Sequence, residues 1–427
     1  MKNFIKDLYS GDMIKNIIPG TENYLKKNKT SIYVGIDPTF HSLHIGHLPI
    51  LILLKKLQLL GYKPIVLIGG ATALIGDPSG KLKERQVLGL DKIIYNQSII
   101  KKQILKIFNF IDHKKNLEIL NNYTWMKKFN FLSFLKNVGK NISISYMISK
   151  DSVKNRLKNG ISFSEFSYQL IQGYDFYYLF KNKNVRLQIG GSDQWGNIIT
   201  GIDIIKRKIK SKAYAITLPL LTKSDGSKFG KTDNKNIWLD SKLTSSYQLY
   251  QFFINCSDYE SEKLIKNLTF YNKREIEEII KFHKINSFNR ILQKSIAKSV
   301  MEIIYSKNEY NLISNISNIL FGNKNFYNLE LISSNQLNQI FSCFPVIKIN
   351  KNLFFNSKNV LDLVCISTNF LIFKSKSEAK KMIKNLGLKI NKITIKQYDE
   401  KPNFKLLKER YLLIQKGKKD YYIINLI

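Results

Sequence analysis

The feature that most constrains this chain is a strand–helix–strand run over residues 32–68. Ile32 to Ile36 is short and apolar, as a buried strand is, and Asp37-Pro38-Thr39 then breaks the chain. Leu48-Pro49-Ile50-Leu51-Ile52-Leu53-Leu54 opens a helix. Pro49 is accommodated there because the first turn has no N–H partner to lose. Gly61 closes the helix, and Pro64-Ile65-Val66-Leu67-Ile68 follows as a continuous apolar strand. A strand that is apolar at every position is buried on both faces. One βαβ unit containing such a strand implies a doubly wound, Rossmann-like parallel sheet, hence an α/β fold.

The turn between that strand and helix ends in His44-Ile45-Gly46-His47. Backbone N–H groups and the positive end of a helix dipole at such a turn suit a phosphate. Gly46 lets the backbone approach a ligand, and the two histidines add donors. The same residues also fit an ordinary βα turn with incidental histidines, so this stretch alone does not decide.

Further loops of the same kind follow. Gly69-Gly70-Ala71-Thr72 through Gly76-Asp77-Pro78-Ser79-Gly80-Lys81 lies at a strand's carboxyl end, where open α/β sheets bind ligands. It lacks the Gly-Lys-Ser/Thr ending of a P-loop. Phe163 to Asp175 reads as a helix with Tyr168, Gln172 and Asp175 at i, i+4 and i+7, on one face. Core stripes are apolar; a Tyr, a Gln and an Asp on one buried face need polar partners, which suits a pocket for a small polar ligand. Arg186-Leu187-Gln188-Ile189 is another short strand, running into Gly190-Gly191-Ser192-Asp193-Gln194-Trp195-Gly196-Asn197. Three such loops point to one crevice above one sheet. A lysine-rich loop, Thr222 to Thr232, carries Lys228 and Lys231 three residues apart.

The 427 residues allow two or three domains, and a hydrophobic content of 44% marks a folded protein. Lys+Arg number 68 against 32 Asp+Glu, a net charge of +36, which favours a polyanion such as nucleic acid unless it reflects composition alone. Cys256, Cys343 and Cys365 are sparse and show no metal-ligand spacing, which fits a reducing compartment. The first residues lack the apolar run of a signal peptide, and no uninterrupted apolar stretch reaches the roughly 18–20 residues of a membrane helix. A cytoplasmic protein is expected.

Elsewhere, residues 1–30 are expected to form a helix with a Pro19-Gly20-Thr21 turn, and 92–160 to be mainly helical. Residues from Trp238 to about Leu320 have helical period and a basic surface. Residues 321–355 read as linker with short elements. From Lys351 onward, 17 Lys/Arg stand against 6 Asp/Glu, a net +11. A helix capped by Ser377, and strands at Leu388–Asn391 and Tyr411–Ile414, make this tail a compact basic α/β module suited to RNA.

Taken together, these residues resemble the bacterial-type tyrosyl-tRNA synthetases of class I over nearly the whole chain. The family's HIGH signature matches His44-Ile45-Gly46-His47, and its KMSKS-type loop matches Lys228-Phe229-Gly230-Lys231-Thr232. The second departs from the class-wide letters, yet it has the form that the tyrosyl enzymes use. The tracts Gly69 to Lys81, Phe163 to Asp175 and Gly190 to Asn197 are similar to theirs in the same order, and the tail resembles their S4-type RNA-binding module. The resemblance implies a catalytic domain over 1–235, an α-helical anticodon-side domain over 236–325, a linker over 326–355 and an S4-like domain over 356–427.

It also implies tyrosine activation by ATP with Mg2+, transfer to tRNA(Tyr), and a homodimer, with segment 125–160 the candidate interface by analogy. Carried over, the tyrosine pocket is Tyr33, Asp77, Tyr168, Gln172, Asp175 and Gln194. Tyr33 and Asp175 would read the phenol; Asp77, Tyr168 and Gln172 the ammonium. Gly35, Asp37, Gly46, Gly191, Asp193 and Thr232 would serve ATP. His44 and His47, with Thr39 nearby, would supply donors to the phosphates, and Lys228 and Lys231 would close over pyrophosphate. Lys81 and Arg85 would meet the tRNA acceptor end. No resident metal site and no covalent nucleophile are implied. A site that hydrogen-bonds a hydroxyl rejects the analogue lacking it by about 10⁴–10⁵, a magnitude taken from tyrosyl enzymes themselves, so no editing domain is expected. The rival within the class is a tryptophanyl enzyme, against which the Tyr33–Asp175 pairing and the tail speak. A non-catalytic RNA-binding descendant would have no need of both charged signatures, and a nucleotidyltransferase would explain neither tail nor pocket.

Overall fold

The computed structural model describes residues 13–79, 88–111, 117–157, 160–222, 229, 231–232, 235–322, 326–417 and 420–427. They form two units, one of residues 1–244 and 252–306, the other of 245–251 and 307–427.

The first unit is built on a six-stranded sheet: β1 (Asn16–Ile17), β2 (Ser31–Ile36), β3 (Lys63–Ile68), β4 (Glu118–Asn121), β5 (Val185–Gly191) and β6 (Tyr214–Leu218). Their order is β1-β6-β5-β2-β3-β4, and every neighbouring pair is parallel except β1 with β6. The chain leaves β2 toward β3 and β4 on one side and returns with β5 and β6 on the other. The order therefore reverses between β2 and β5, where a doubly wound sheet opens its ligand crevice. Tyr33 and Gln188 face each other in register across this pair.

The apolar helix is α1 (Leu48–Leu59), with Pro49 in its first turn. Helix α2 (Leu90–Asn109) turns Ile93, Ile100, Ile104 and Ile107 inward. Helices α3 (Phe163–Lys183) and α4 (Trp195–Ile209) pack together at glycines. A Cβ on Gly201 would stand 2.9 Å from Phe176 Cβ, and one on Gly173 2.9 Å from Ile204 Cδ1. Neither position has room for a side chain, and the close crossing holds the Tyr168–Asp175 face of α3 over the sheet.

Several expectations need correction. Of the segment 1–30, expected to be helical, residues 1–12 lie outside the described ones, and the described residues contain edge strand β1 and a seven-residue helix, Thr21–Lys27, entered through Gly20 at φ 89°. The described residues of 92–160 are mainly helical, as expected, and also hold β4, whose four residues are too few to show a period. The helical stretch after Trp238 is divided. Helices α5 (Asp258–Leu268), α6 (Lys273–Ile285) and α7 (Ile291–Ile304) belong to the first unit, and α8 (Lys307–Phe321) to the second.

In the second unit, the expected linker is structured. It holds α9 (Ser334–Phe341), β9 (Val346–Ile349) and a short helix, Lys351–Phe355. After β7 (Lys231–Thr232) and β8 (Lys235–Asn236), a small hairpin of the first unit, the remaining strands are β10 (Leu388–Ile390), β11 (Ile393–Thr394), β12 (Tyr411–Lys416) and β13 (Asp420–Leu426). They form a mixed sheet, β11-β10-β12-β13-β9, in which β9 runs parallel to β13 and the other pairs are antiparallel. Helices α10 (Val360–Cys365) and α11 (Lys376–Lys384) pack their buried residues with Leu388, Leu412 and Ile424 of the sheet. The cap of α11 is Ser375, whose hydroxyl accepts the Glu378 N–H at 3.1 Å, two residues before the expected Ser377. With Ser375 as the cap, Glu378 stands in the first turn, where its carboxylate also accepts the Lys374 N–H at 2.8 Å, just before the cap.

Candidate active site

A crevice of about 490 Å³ opens at the carboxyl ends of β2, β3 and β5. Of the singled-out residues, Tyr33, Gly35, Asp37, Thr39, His44, Gly46, His47, Asp77, Tyr168, Gln172, Asp175, Gly191, Asp193 and Gln194 all line it. Lys81, Arg85 and Lys228 lie outside the described residues. Lys231 and Thr232 are placed by their backbone, in β7, antiparallel to β8.

The deep end is set by Tyr33 and Asp175, both nearly inaccessible to solvent. Asp175 is held by two N–H donors: Trp125 Nε1 to Oδ1 at 2.8 Å and Asn122 Nδ2 to Oδ2 at 2.9 Å. Burial above all, with Asp37 nearby, pushes its carboxyl up to about 7, although both donors pull the other way. Burial, and then the Asp175 charge, raise the Tyr33 hydroxyl well above the usual tyrosine range, so it stays protonated. That hydroxyl has no hydrogen-bond partner among the described residues, and neither has Gln188 Oε1 beside it. A buried polar atom left unpaired costs about 1–3 kcal/mol, so two of them at the end of one crevice point to a polar ligand group.

A chain of hydrogen bonds leads outward. Asn122 Nδ2 also reaches Thr72 Oγ1 at 3.2 Å, and Thr72 donates to Asp37 Oδ1 at 2.7 Å. The Tyr168 hydroxyl donates to Asp37 Oδ2 at 2.8 Å. Asp37, expected on the nucleotide side, thus sits between the two halves of the crevice. On the other wall Asp77 accepts from Gln194 Nε2 at 2.7 Å, from the Ser79 N–H at 2.9 Å and from Asn197 Nδ2 at 3.4 Å.

The histidine turn differs from a plain helix mouth. His47 Nδ1 accepts the His44 N–H, and His44 Nδ1 accepts the Gly46 N–H, both at 3.1 Å. Two backbone donors expected to face a phosphate are therefore already used. With each Nδ1 an acceptor, the ring proton of a neutral histidine sits on Nε2. Burial, and then the adjoining His44 ring, hold His47 well below the ordinary histidine range. The rings lie 4.0 Å apart. The turn is sewn to the segment after β8 by Ile45 N–H to Ile237 O at 3.0 Å and Leu239 N–H to Leu43 O at 2.8 Å.

Thr72, Asn122, Trp125, Gln188 and Asn197 complete the site and were not singled out from sequence. For Gln188 a signal existed, a glutamine within an apolar strand. Among the described residues no group of three His, Cys, Asp or Glu could hold a metal ion, and no helix is long and apolar enough to cross a membrane.

Residues 25–322 match the family model for class I tRNA synthetases (W and Y), and residues 336–424 that of the tyrosine–tRNA ligase SYY-like C-terminal domain. Over the full length of both chains, the sequence is 47% identical to a tyrosine–tRNA ligase of Amoebophilus asiaticus and 45% identical to one of Cytophaga hutchinsonii. The fold is similar to a C-terminally truncated mitochondrial tyrosyl-tRNA synthetase of Aspergillus nidulans, with TM-score 0.66 and 30% identity, over 74% of this chain and 94% of that one. A tyrosyl-tRNA synthetase of Archaeoglobus fulgidus, solved with L-tyrosine, shares the fold at TM-score 0.56 and 15% identity, over 72% and 98% of the two chains.

Proposed function

Because the chain belongs to the tyrosine–tRNA ligases of class I, we propose that one end of its crevice reads tyrosine while the histidine turn and the KFGKT segment serve ATP. The activity is that of a tyrosine–tRNA ligase (EC 6.1.1.1). Tyrosine and ATP give tyrosyl-adenylate and pyrophosphate, and the tyrosyl group then passes to the 3′ end of tRNA(Tyr).

The observation that carries the residue assignment is the unpaired Tyr33 hydroxyl beside the Asp175 carboxyl. A phenol placed there accepts from Tyr33 and donates to Asp175. Asp77, Tyr168 and Gln172 take the α-ammonium, with Gln194 orienting Asp77. The tyrosine carboxylate then attacks the α-phosphate. No covalent enzyme intermediate is needed, so catalysis is positioning plus stabilisation of the charge growing on phosphate oxygens. His44, His47 and Thr39 supply donors from the turn, and Lys228 and Lys231 neutralise the departing pyrophosphate. Gly35, Gly46, Gly191, Asp193 and Thr232 complete the nucleotide side, with Asp37 between it and the tyrosine end. Magnesium enters with ATP as part of the substrate.

Lys81 and Arg85 meet the acceptor end of the tRNA, and the basic C-terminal module, read as S4-like, binds its body. This functional division keeps 1–235 catalytic and 236–325 on the anticodon side, with β9 assigned to the C-terminal module. A homodimer through segment 125–160 is supported by its exposed apolar side chains, Phe131 at 63%, Leu132 at 75% and Ile144 at 67%. The reaction belongs to the cytoplasm. Tyrosine-dependent ATP–pyrophosphate exchange tests the pocket. Exchange with tyrosine and none with tryptophan is expected, and comparable exchange with tryptophan would overturn it.

A further inference from the structure

We infer that Gln103 is a positioning residue for adenylate formation, clamping the loop that carries Thr39 and leads into His44. Asn96, Ile100 and Gln103 stand at i, i+4 and i+7 on α2, and so on one face. Ile100 lines the crevice. The residues on either side of it hold the loop at both ends. Asn96 Nδ2 donates to Pro38 O at 2.9 Å. Gln103 Oε1 accepts the Leu43 N–H at 2.8 Å, and its Nε2 donates to Ser42 Oγ at 3.2 Å. The Ser42 hydroxyl in turn donates to Leu43 O at 2.8 Å. Ser42 and Leu43 are buried, so water cannot replace Gln103 at little cost.

The opposite edge of the same turn is held by the backbone bonds of Ile237 and Leu239. The His44 turn is thus gripped between two elements: the 237–239 segment holds it by backbone bonds and by the Trp238 ring, stacked on Phe40 at 4.2 Å, and α2 holds it by side-chain hydrogen bonds. The Gln103 side chain bonds to Leu43 and Ser42, neither of which is proposed to read tyrosine. Its loss therefore shifts the nucleotide half of the crevice and leaves the other half in place. A displacement of about 1 Å in a catalytic group costs up to about 100-fold in rate.

The inference rests on His44 acting on the phosphates, and the test separates the two claims. Pyrophosphate-exchange kinetics and equilibrium tyrosine binding are measured on the full chain and on Gln103→Leu, Gln103→Glu and His44→Ala. Gln103→Leu, which keeps bulk and removes the acceptor, is expected to lower kcat at least tenfold while tyrosine affinity stays within twofold. Gln103→Glu, which keeps an acceptor for the Leu43 N–H, is expected to recover most of that loss. Unchanged kcat in Gln103→Leu while His44→Ala is impaired would overturn the clamp alone. Tyrosine affinity falling in step with kcat, or no recovery in Gln103→Glu, would also overturn it. Unchanged kcat in His44→Ala would overturn the reading of the turn and the clamp with it.

Discussion

Asp175 makes the affinity for tyrosine depend on pH with a definite sign. Its carboxyl lies at about 7 in the free protein, raised by burial first and by Asp37 second. Asn122 and Trp125 each donate to one of its oxygens, which favours the ionised form, and the carboxylate is the stronger acceptor for the hydrogen of an arriving phenol. Below the raised pKa, binding must expel a proton. Affinity therefore rises with pH through that range and levels off above it. For a free-protein pKa near 7 and an ionised complex, binding is about tenfold tighter at pH 8 than at pH 6. Two neighbours do not confuse the reading: His47 is held well below the ordinary range and stays neutral, and Tyr33 is raised and stays protonated. Equilibrium dialysis with labelled tyrosine measures the profile. In Asp175→Asn the profile is expected to be flat, and affinity about 100-fold weaker, the loss of a charge-assisted hydrogen bond worth about 3 kcal/mol. A wild-type profile that is flat, or that weakens toward pH 8, would refute the argument.

His47→Ala and Lys231→Ala are each expected to slow pyrophosphate exchange by about 100-fold with little change in tyrosine affinity, as loss of a transition-state donor does; equal losses in both would contradict the roles given. Removing residues 323–427 should spare pyrophosphate exchange and abolish tRNA charging. This cut leaves no orphaned β9, which one at residue 351 would strand without β13; charging that survives the cut would remove the RNA-binding role. Gly201→Val drives a side chain against Phe176, whose Cβ would stand 2.9 Å from the new one. It should cost about 1–3 kcal/mol, read as a lower urea midpoint at unchanged slope. An unchanged midpoint would show that the α3–α4 crossing has slack.

Much of this fold and crevice is legible in the sequence because it depends on local signals. The apolar strands at 32–36 and 64–68, the helix after His47 and the polar face of α3 each carry their pattern within a few turns. What stays hidden depends on pairing across long separations. The alternation in β9, with Ile347 and Ile349 buried and Val346 and Lys348 exposed, is real but only four residues long, and its partner β13 lies more than 70 residues on. Asn122 and Trp125 hold Asp175 from 53 and 50 residues upstream, and no periodicity announces that. The histidine turn is a different case. A sequence pattern can mark a phosphate-binding turn without showing that its own side chains already use two of the backbone donors.

The most direct test of the account is discrimination between tyrosine and phenylalanine in pyrophosphate exchange, compared in the wild type and in Asp175→Asn. The ligands differ by the one hydroxyl that Tyr33 and Asp175 are held to read. The wild type is expected to favour tyrosine in kcat/KM by about 10⁴–10⁵, the magnitude known for tyrosyl enzymes. Asp175→Asn should lower that ratio about 100-fold, by losing tyrosine and not by gaining phenylalanine. A wild-type ratio below about 100, no more than a hydrophobic pocket achieves, would mean that the hydroxyl is not read at the Tyr33–Asp175 end.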